Sequence, residues 1–284
     1  MTKYNIGIIG LGYVGSAVKS YVEKFYPLNT YDIAKKCSSS SLQELVNKSE
    51  IIFVCLPTPM YRDGSCDFSV IDEVLGDIND ISNDLQNRII VLKSTVPVGT
   101  SKVLNEKFNH INIVFNPEFL TEANFIKDFE NQDRIIIGGL DNKSIEKVSN
   151  FYSDIFNDIQ IIKTDFNTAE MVKYTTNCFL ATKVSFANEI KMFCDKLDIN
   201  YKDMINISTL DKRLANSHWS VPGPDGKKGF GGACFPKDIA SLIYQFREND
   251  VESYVLSSTW ERNKKIDRPE KDWELLKGRA IRDD

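Results

Sequence analysis

An α/β protein, with a Rossmann-like doubly wound parallel sheet followed by an all-helical domain on one long central helix, is the fold class this chain predicts. Three observations carry it. Short apolar runs alternate with helical patterns through the first part of the chain, as β-α units of a parallel sheet do. The first run, residues 4–9, passes straight into Gly10-Leu11-Gly12-Tyr13-Val14-Gly15 and a helix. Over residues 167–197 the period changes, with Leu180, Val184, Ala187, Ile190, Cys194 and Leu197 recurring three and four apart, which reads as one long helix.

The glycine stretch is a dinucleotide fingerprint in its proper setting. The first glycine makes the tight turn, the second lets backbone approach a pyrophosphate, and the third lets helix pack on strand, with the diphosphate at the helix N-terminus. A second strand, 28–31, ends at Asp32, the spacing expected for an acid that grips the adenosine ribose hydroxyls. An acid there repels a ribose phosphate, so NAD is expected rather than NADP; Lys35 and Lys36 beside it are the features that would suit a phosphate. The alternation continues as helix 41–48, strand 51–55, the loop Pro57-Thr58-Pro59, helix 68–81 and strand 88–92. The segment Ser94-Thr95-Val96-Pro97-Val98-Gly99-Thr100 follows that strand, and Asn116-Pro117-Glu118-Phe119-Leu120 follows the next, 111–115. Open α/β sheets bind ligands at the carboxyl ends of their strands, which puts Thr95 and Glu118 on the functional edge. Strand 135–137, helix 143–156 and strand 159–163 complete the series. The expected division is a dinucleotide-binding domain over 1–165, a helical domain over 166–265 and a charged tail over 266–284.

Composition narrows the class of partner. A hydrophobic content of 42% over 284 residues supports two cores, and a net charge of −5 offers nothing to nucleic acid or an anionic membrane. No apolar run is long enough to span a bilayer, and the apolar N-terminus is broken by glycines that have another use, so a cytoplasmic location is expected. The six cysteines include no CxxC pair, which fits neither a zinc site nor a disulfide framework; free thiols and no metal are expected.

The chemistry concentrates in Gly229-Phe230-Gly231-Gly232-Ala233-Cys234-Phe235-Pro236-Lys237-Asp238. Glycines allow close approach to the thiol, and Pro236 suits the first turn of a helix, so Cys234 is placed at a helix N-terminus where the thiolate is favoured. Lys237 adds positive charge, and Asp238, one turn beyond Cys234, could orient that lysine, accept a proton or cap the helix. Lys173 and Asn177 interrupt the apolar face of the long helix four residues apart, so both can reach one ligand.

Taken in order, GLGYVG, CLPTP (55–59), STVPVGT, NPEFL, KYTTN (173–177) and GFGGACFPKD resemble the UDP-glucose/GDP-mannose dehydrogenase family, over residues 4 to about 262. The resemblance implies a four-electron oxidation of a nucleotide sugar's primary alcohol, UDP-glucose above all, to a carboxylate with two NAD. It implies Cys234 as nucleophile; Lys173, Asn177 and Asp238 around the reacting carbon; and Thr95 and Glu122 positioning water. Gly10, Gly12, Tyr13, Val14, Gly15, Asp32, Lys36, Pro57, Thr58, Thr95, Glu122 and Lys237 are assigned to the cofactor. Glu118, Phe119, Leu120, Lys173, Asn177, Arg213, Phe230 and Gly231 are assigned to the substrate, with Arg213 reaching across a homodimer interface. The family's third, nucleotide-holding domain would begin where this chain stops, and the segment around His218 and 221–226 differs from the family's usual Asn-Pro-Ser pattern. Two other classes stay open: a single-step 3-hydroxyacid dehydrogenase, which does not need Cys234, and a nucleotide-sugar-binding protein with little turnover.

Overall fold

A computed structural model describes residues 3–82 and 88–282. The chain divides into two compact units. Unit 1 runs to Thr58 and resumes over Asp67–Lys173; unit 2 takes Pro59–Cys66 and the chain from Tyr174 onward.

Unit 1 is a seven-stranded sheet in the order β2-β1-β3-β4-β5-β6-β7. Its strands are β1 (Ile6–Ile9), β2 (Leu28–Tyr31), β3 (Ile51–Val54), β4 (Ile89–Leu92), β5 (Asn112–Phe115), β6 (Arg134–Gly138) and β7 (Gln160–Thr164). The chain steps from β1 to β2 on one side and returns to β3 on the other, which places a topological switch point beside the glycine loop. Strands β1 to β5 pair in parallel, as do β6 and β7. The doubly wound parallel sheet expected from the sequence carries one antiparallel step, where β5 and β6 meet through Phe115 and Gly138. Only α5 (Phe125–Glu130) lies between them, and an antiparallel neighbour needs no long crossover helix.

Both faces of the sheet are covered, and the apolar residues alternate between them. Ile6, Ile8, Ile51, Phe53, Ile89 and Val91 face α1 (Tyr13–Val22) and α6 (Asn142–Ile155). Ile9, Ile52, Val54, Ile90 and Leu92 face α2 (Leu42–Lys48), α3 (Ser69–Ile81) and α4 (Thr100–Lys107). Strands buried on both faces read as unbroken apolar runs, which is why they stand out in the sequence. Ser41 caps α2 through the Glu44 N–H, and Asp141 caps α6 through Lys143 and Ser144.

The long helix α7 spans Phe166–Lys196, and its first two turns belong to unit 1. In unit 2 it is followed by α8 (Tyr201–Ser208), α9 (Cys234–Glu248) and α10 (Tyr254–Arg262). Residues 266–282, expected as a charged tail, fold onto this unit instead, while 283–284 lie outside the described residues. Trp273 is 1% exposed and joins Met60, Ala233, Ala240 and Ala280 in one apolar cluster. Met60 exchanges backbone hydrogen bonds with Ala280 and Arg282, so the segment Pro59–Cys66 is built into the same unit as the chain's end.

Candidate active site

In unit 1 the glycine loop has the form a dinucleotide requires. Gly10 has φ +83°, and a Cβ there would lie 2.5 Å from the Cys55 carbonyl oxygen, so no other residue fits the turn. A Cβ on Gly15 would stand 1.8 Å from the Gly10 oxygen, whereas one on Gly12 would meet nothing within 4 Å: the third glycine serves packing, and the second leaves open space. Tyr13 and Val14 open α1, whose first N–H groups and dipole suit a diphosphate. Asp32 accepts from the Leu11 N–H at 2.6 Å and the Ala34 N–H at 2.8 Å, which fixes its carboxylate beside the loop. Lys36 is exposed, and it is Lys35 whose ammonium donates to the Leu11 carbonyl.

The strand ends beside this loop are tied together. Ser94 accepts from the Leu56 N–H at 3.0 Å and donates to its carbonyl at 2.7 Å, fastening the Pro57-Thr58 turn to the segment that carries Thr95. Thr58 and Thr95 are buried, and Pro57 is exposed. Glu170, fully buried on α7, accepts from the N–H groups of Gly99 at 2.6 Å and Ser101 at 2.8 Å. A carboxylate thus caps α4 from another helix, and burial raises its pKa. Lys173 donates to the Glu118 carbonyl at 2.6 Å and to its carboxylate at 3.0 Å, a pair buried on both sides. The Glu118 carboxylate also accepts from the Leu120 N–H at 2.6 Å, so the Glu118-Phe119-Leu120 turn is wrapped around the lysine. Phe119 lies between two cations, Lys173 at 5.5 Å and Arg134 at 4.8 Å. Glu122 is half-buried just before α5.

In unit 2 Cys234 is the first residue of α9 and Pro236 lies in its first turn, as the sequence predicts. Asp238 is held from two sides: Lys237 donates to one carboxylate oxygen at 2.6 Å and Asn177 of α7 to the other at 2.6 Å. Tyr174 and Ser241, 2.9 Å apart, repeat the α7-to-α9 link one turn along. Burial works against the Lys237 cation, but Asp238, Cys234 and Cys66 outweigh it, so its pKa is raised and it stays charged.

The glycines before Cys234 have a use that differs from the one expected. A Cβ on Gly229 would meet Asn263 at 2.3 Å, and one on Gly231 would meet Arg268 at 2.5 Å. Asn263 accepts from the Phe230 N–H and donates to its carbonyl, both at 2.9 Å, and Phe230 is buried and stacked near Trp260. The space that Gly229 and Gly231 were expected to leave for a substrate is therefore taken by the chain's own side chains. Arg213 sits in a 3-10 turn, Lys212–Leu214, exposed and paired with Asp211 at 2.9 Å. Lys183 of α7 ties that turn down through the carbonyls of Leu214 and Ala215.

Sequence reasoning missed Glu170, Asn263 and Arg268, each a lone polar residue with no local mark. Among the described residues no cluster of histidine, cysteine or acid groups could hold a metal, and no helix is long and apolar enough to cross a membrane.

Two family descriptions match the chain: the NAD-binding domain of the UDP-glucose/GDP-mannose dehydrogenase family over residues 29–156, and the central domain of the same family over 167–265. The UDP-glucose 6-dehydrogenase of Rickettsia bellii is 35% identical over 80% of this chain and 52% of its own length, and that of Rhizobium meliloti 32% identical over 87% and 59%. The chain thus spans about half the length of the curated relatives it matches. Among solved structures, a UDP-glucose dehydrogenase from Pyrobaculum islandicum superposes with a TM-score of 0.83 at 25% identity, covering 92% of this chain and 68% of that one. A 3-hydroxyisobutyrate dehydrogenase from Mycobacterium tuberculosis shares the fold, with a TM-score of 0.75 at 16% identity and 95% of both chains covered. With the NAD-binding and central domains of one family matched in order along it, the chain belongs to the UDP-glucose/GDP-mannose dehydrogenase family, and its first unit is an NAD-binding domain.

Proposed function

We propose that the protein oxidises the primary alcohol of a nucleotide sugar, UDP-glucose in the first instance, to the carboxylate in two steps, with Cys234 holding the carbon between them. The observation that carries this reading is the set Cys234, Lys237 and Asp238 at the start of α9 with Asn177 of α7, a thiol beside a retained cation whose partner carboxylate is itself fixed. A free cysteine titrates near roughly 8.5, so a helix N-terminus and a neighbouring ammonium serve to supply thiolate at neutral pH.

NAD, when bound, supplies the hydride acceptor for both oxidations; Gly10, Gly12, Tyr13, Val14, Gly15 and Asp32 are the residues that would hold it. Lys173 and Asn177, one turn apart on α7, take the alcohol: the neutral Lys173 amine accepts the alcohol proton and, charged by it, steadies the developing alkoxide, while the Asn177 amide orients it. The Cys234 thiolate adds to the resulting aldehyde carbon, and the thiohemiacetal that forms loses its hydride to become a thioester. Thr95 and Glu122 position the water that cleaves the thioester, returning the thiolate and releasing the acid. Two hydrides leave and one water enters per turnover. Arg213, exposed and anchored through Lys183, reaches the substrate of a second copy in a homodimer. The relatives' names support the nucleotide-sugar class.

NADH formation on a panel of UDP- and GDP-sugars tests the reading. Two NADH per acid are expected, and Cys234→Ser should stop near the first oxidation because an alkoxide leaves far less readily than a thiolate. One NADH per product, with Cys234→Ser active, would replace this reading with the single-step hydroxyacid oxidation that the fold also accommodates.

A further inference from the structure

Unit 1 holds a lysine, bonded to the asparagine two residues before Glu118, that the reaction described above does not use. Lys93 follows β4 and is 3% exposed. Its ammonium donates to the Asn116 side-chain oxygen at 2.8 Å and to the Asn116 carbonyl at 3.2 Å, and lies 5.9 Å from the centre of the Phe129 ring. The Asn116 amide donates in turn to the Ile136 carbonyl of β6 at 2.7 Å, and its oxygen also accepts from the Tyr152 hydroxyl of α6. One asparagine therefore joins β4, β6 and α6 immediately before the Asn116-Pro117-Glu118 turn that holds Lys173.

We propose that Lys93 is a positioning residue for Lys173: it anchors that turn through Asn116, and its positive charge, acting together with Lys173 on the one carboxylate of Glu118, makes Lys173 easier to deprotonate. The role assigned to Lys173 rests on the proposed function. A buried ammonium is an expensive way to fill a core, since a leucine or methionine would do so without desolvating a charge. The charged and titratable groups that face it within unit 1 are Cys55 after β3, Glu118 after β5, Lys173 on α7 and, through Asn116, Tyr152 on α6. Burial pushes the Cys55 thiol up to about 12 and raises Tyr152 as well, so both are neutral near pH 7. That leaves two cations and one carboxylate. Burial first, and Lys173 in addition, push Lys93 down to about 8 against the opposing pull of the Glu118 carboxylate. Coupling between two proton sites is reciprocal, so whatever Lys173 takes from the proton affinity of Lys93, Lys93 takes from that of Lys173.

The test reads Lys173 directly. In protein labelled with 15N-lysine, the Lys173 Nζ resonance, assigned by its loss in Lys173→Met, is titrated from about pH 6 to about pH 11 in the wild type and in Lys93→Met, Lys93→Arg and Tyr152→Phe. Lys93→Met should move the Lys173 midpoint up by about one unit, as expected for removal of a nearby like charge. Lys93→Arg, which keeps the charge, and Tyr152→Phe, which loosens Asn116 without changing any charge, should leave it in place. In turnover, Lys93→Met should lower kcat with little change in KM, and raising the pH should recover part of the loss. An unchanged midpoint in Lys93→Met, or an equal shift in Tyr152→Phe, overturns the proposal. If Lys93→Met does not fold, the reciprocal arm decides: the Lys93 midpoint must rise in Lys173→Met, and its failure to do so overturns the proposal equally. These resonances do not depend on turnover, so a failure of the proposed reaction remains separable from a failure of the coupling.

Discussion

Asp32 has both carboxylate oxygens engaged by backbone N–H groups, one from the glycine loop and one from the turn that follows the aspartate. A ribose would meet an acid already aimed, with lone pairs to spare and a charge that opposes a phosphate. Asp32→Ala is expected to weaken NAD roughly tenfold or more while changing NADP little; equal losses in calorimetry would remove Asp32 from the ribose. Lys93 makes a second prediction at this scale, on stability. Its pKa is about 8 in the folded chain, below the ordinary 10.5. Below pH 8 both folded and unfolded chains carry the proton and folding bears the full desolvation cost; above about 10.5 neither carries it. The wild type should therefore gain stability relative to Lys93→Met as pH rises between those values, by up to roughly 3 kcal/mol. Urea midpoints across that range check it, and a flat difference would mean that the ammonium is not desolvated.

The elements of unit 1 were legible because their signals are local. Apolar runs, the GLGYVG turn and the capping residues Ser41 and Asp141 each act within a few positions, and the change to helical spacing near residue 167 marks α7 without any partner being known. Cys234, Pro236 and Asp238 were likewise readable as the start of a helix. What joins the elements was not legible, since a lone acid or amide in a helix carries no mark of a partner far along the chain. Glu170 caps α4 from 71 residues beyond Gly99, and Asn263 braces Phe230 from 33 residues away. The antiparallel step at β6 was hidden for the same reason, because a strand's direction is set by its neighbours. Asn263→Ala leaves a buried N–H and a buried carbonyl of Phe230 without the side chain that meets both. A loss of roughly 2–4 kcal/mol in urea unfolding is expected, with slower alkylation of Cys234 as the loop slackens. A loss under about 0.5 kcal/mol would show that the brace is dispensable.

At the scale of the whole molecule, the surface of α7 sets the next question. Phe179, Phe186 and Phe193 stand seven apart and are 66%, 53% and 63% exposed, with Ile207 and Leu210 also uncovered. Residues seven apart drift only about 20° around a helix, so the three rings form one stripe. Full burial of such a side chain is worth roughly 1.5–3 kcal/mol, and an apolar stripe this long asks for a partner. A second copy of the chain would meet that need with the same stripe, in the self-complementary manner of a two-fold dimer. Sedimentation equilibrium should therefore give a dimer, and Phe179→Asp with Phe193→Asp should give a folded monomer. If Arg213 serves the neighbour's substrate, that monomer loses turnover although its own Cys234 still reacts with iodoacetamide. Complementation gives the sharper test. Arg213→Ala and Cys234→Ser should each be nearly inactive alone. Random subunit exchange between them makes half of the dimers mixed, and each mixed dimer has one site with an intact thiol and an arginine donated by the other chain. Recovery to about a quarter of wild-type activity is expected on that arithmetic. No recovery, from a mixture shown to exchange, would place Arg213 in its own chain's site or in none.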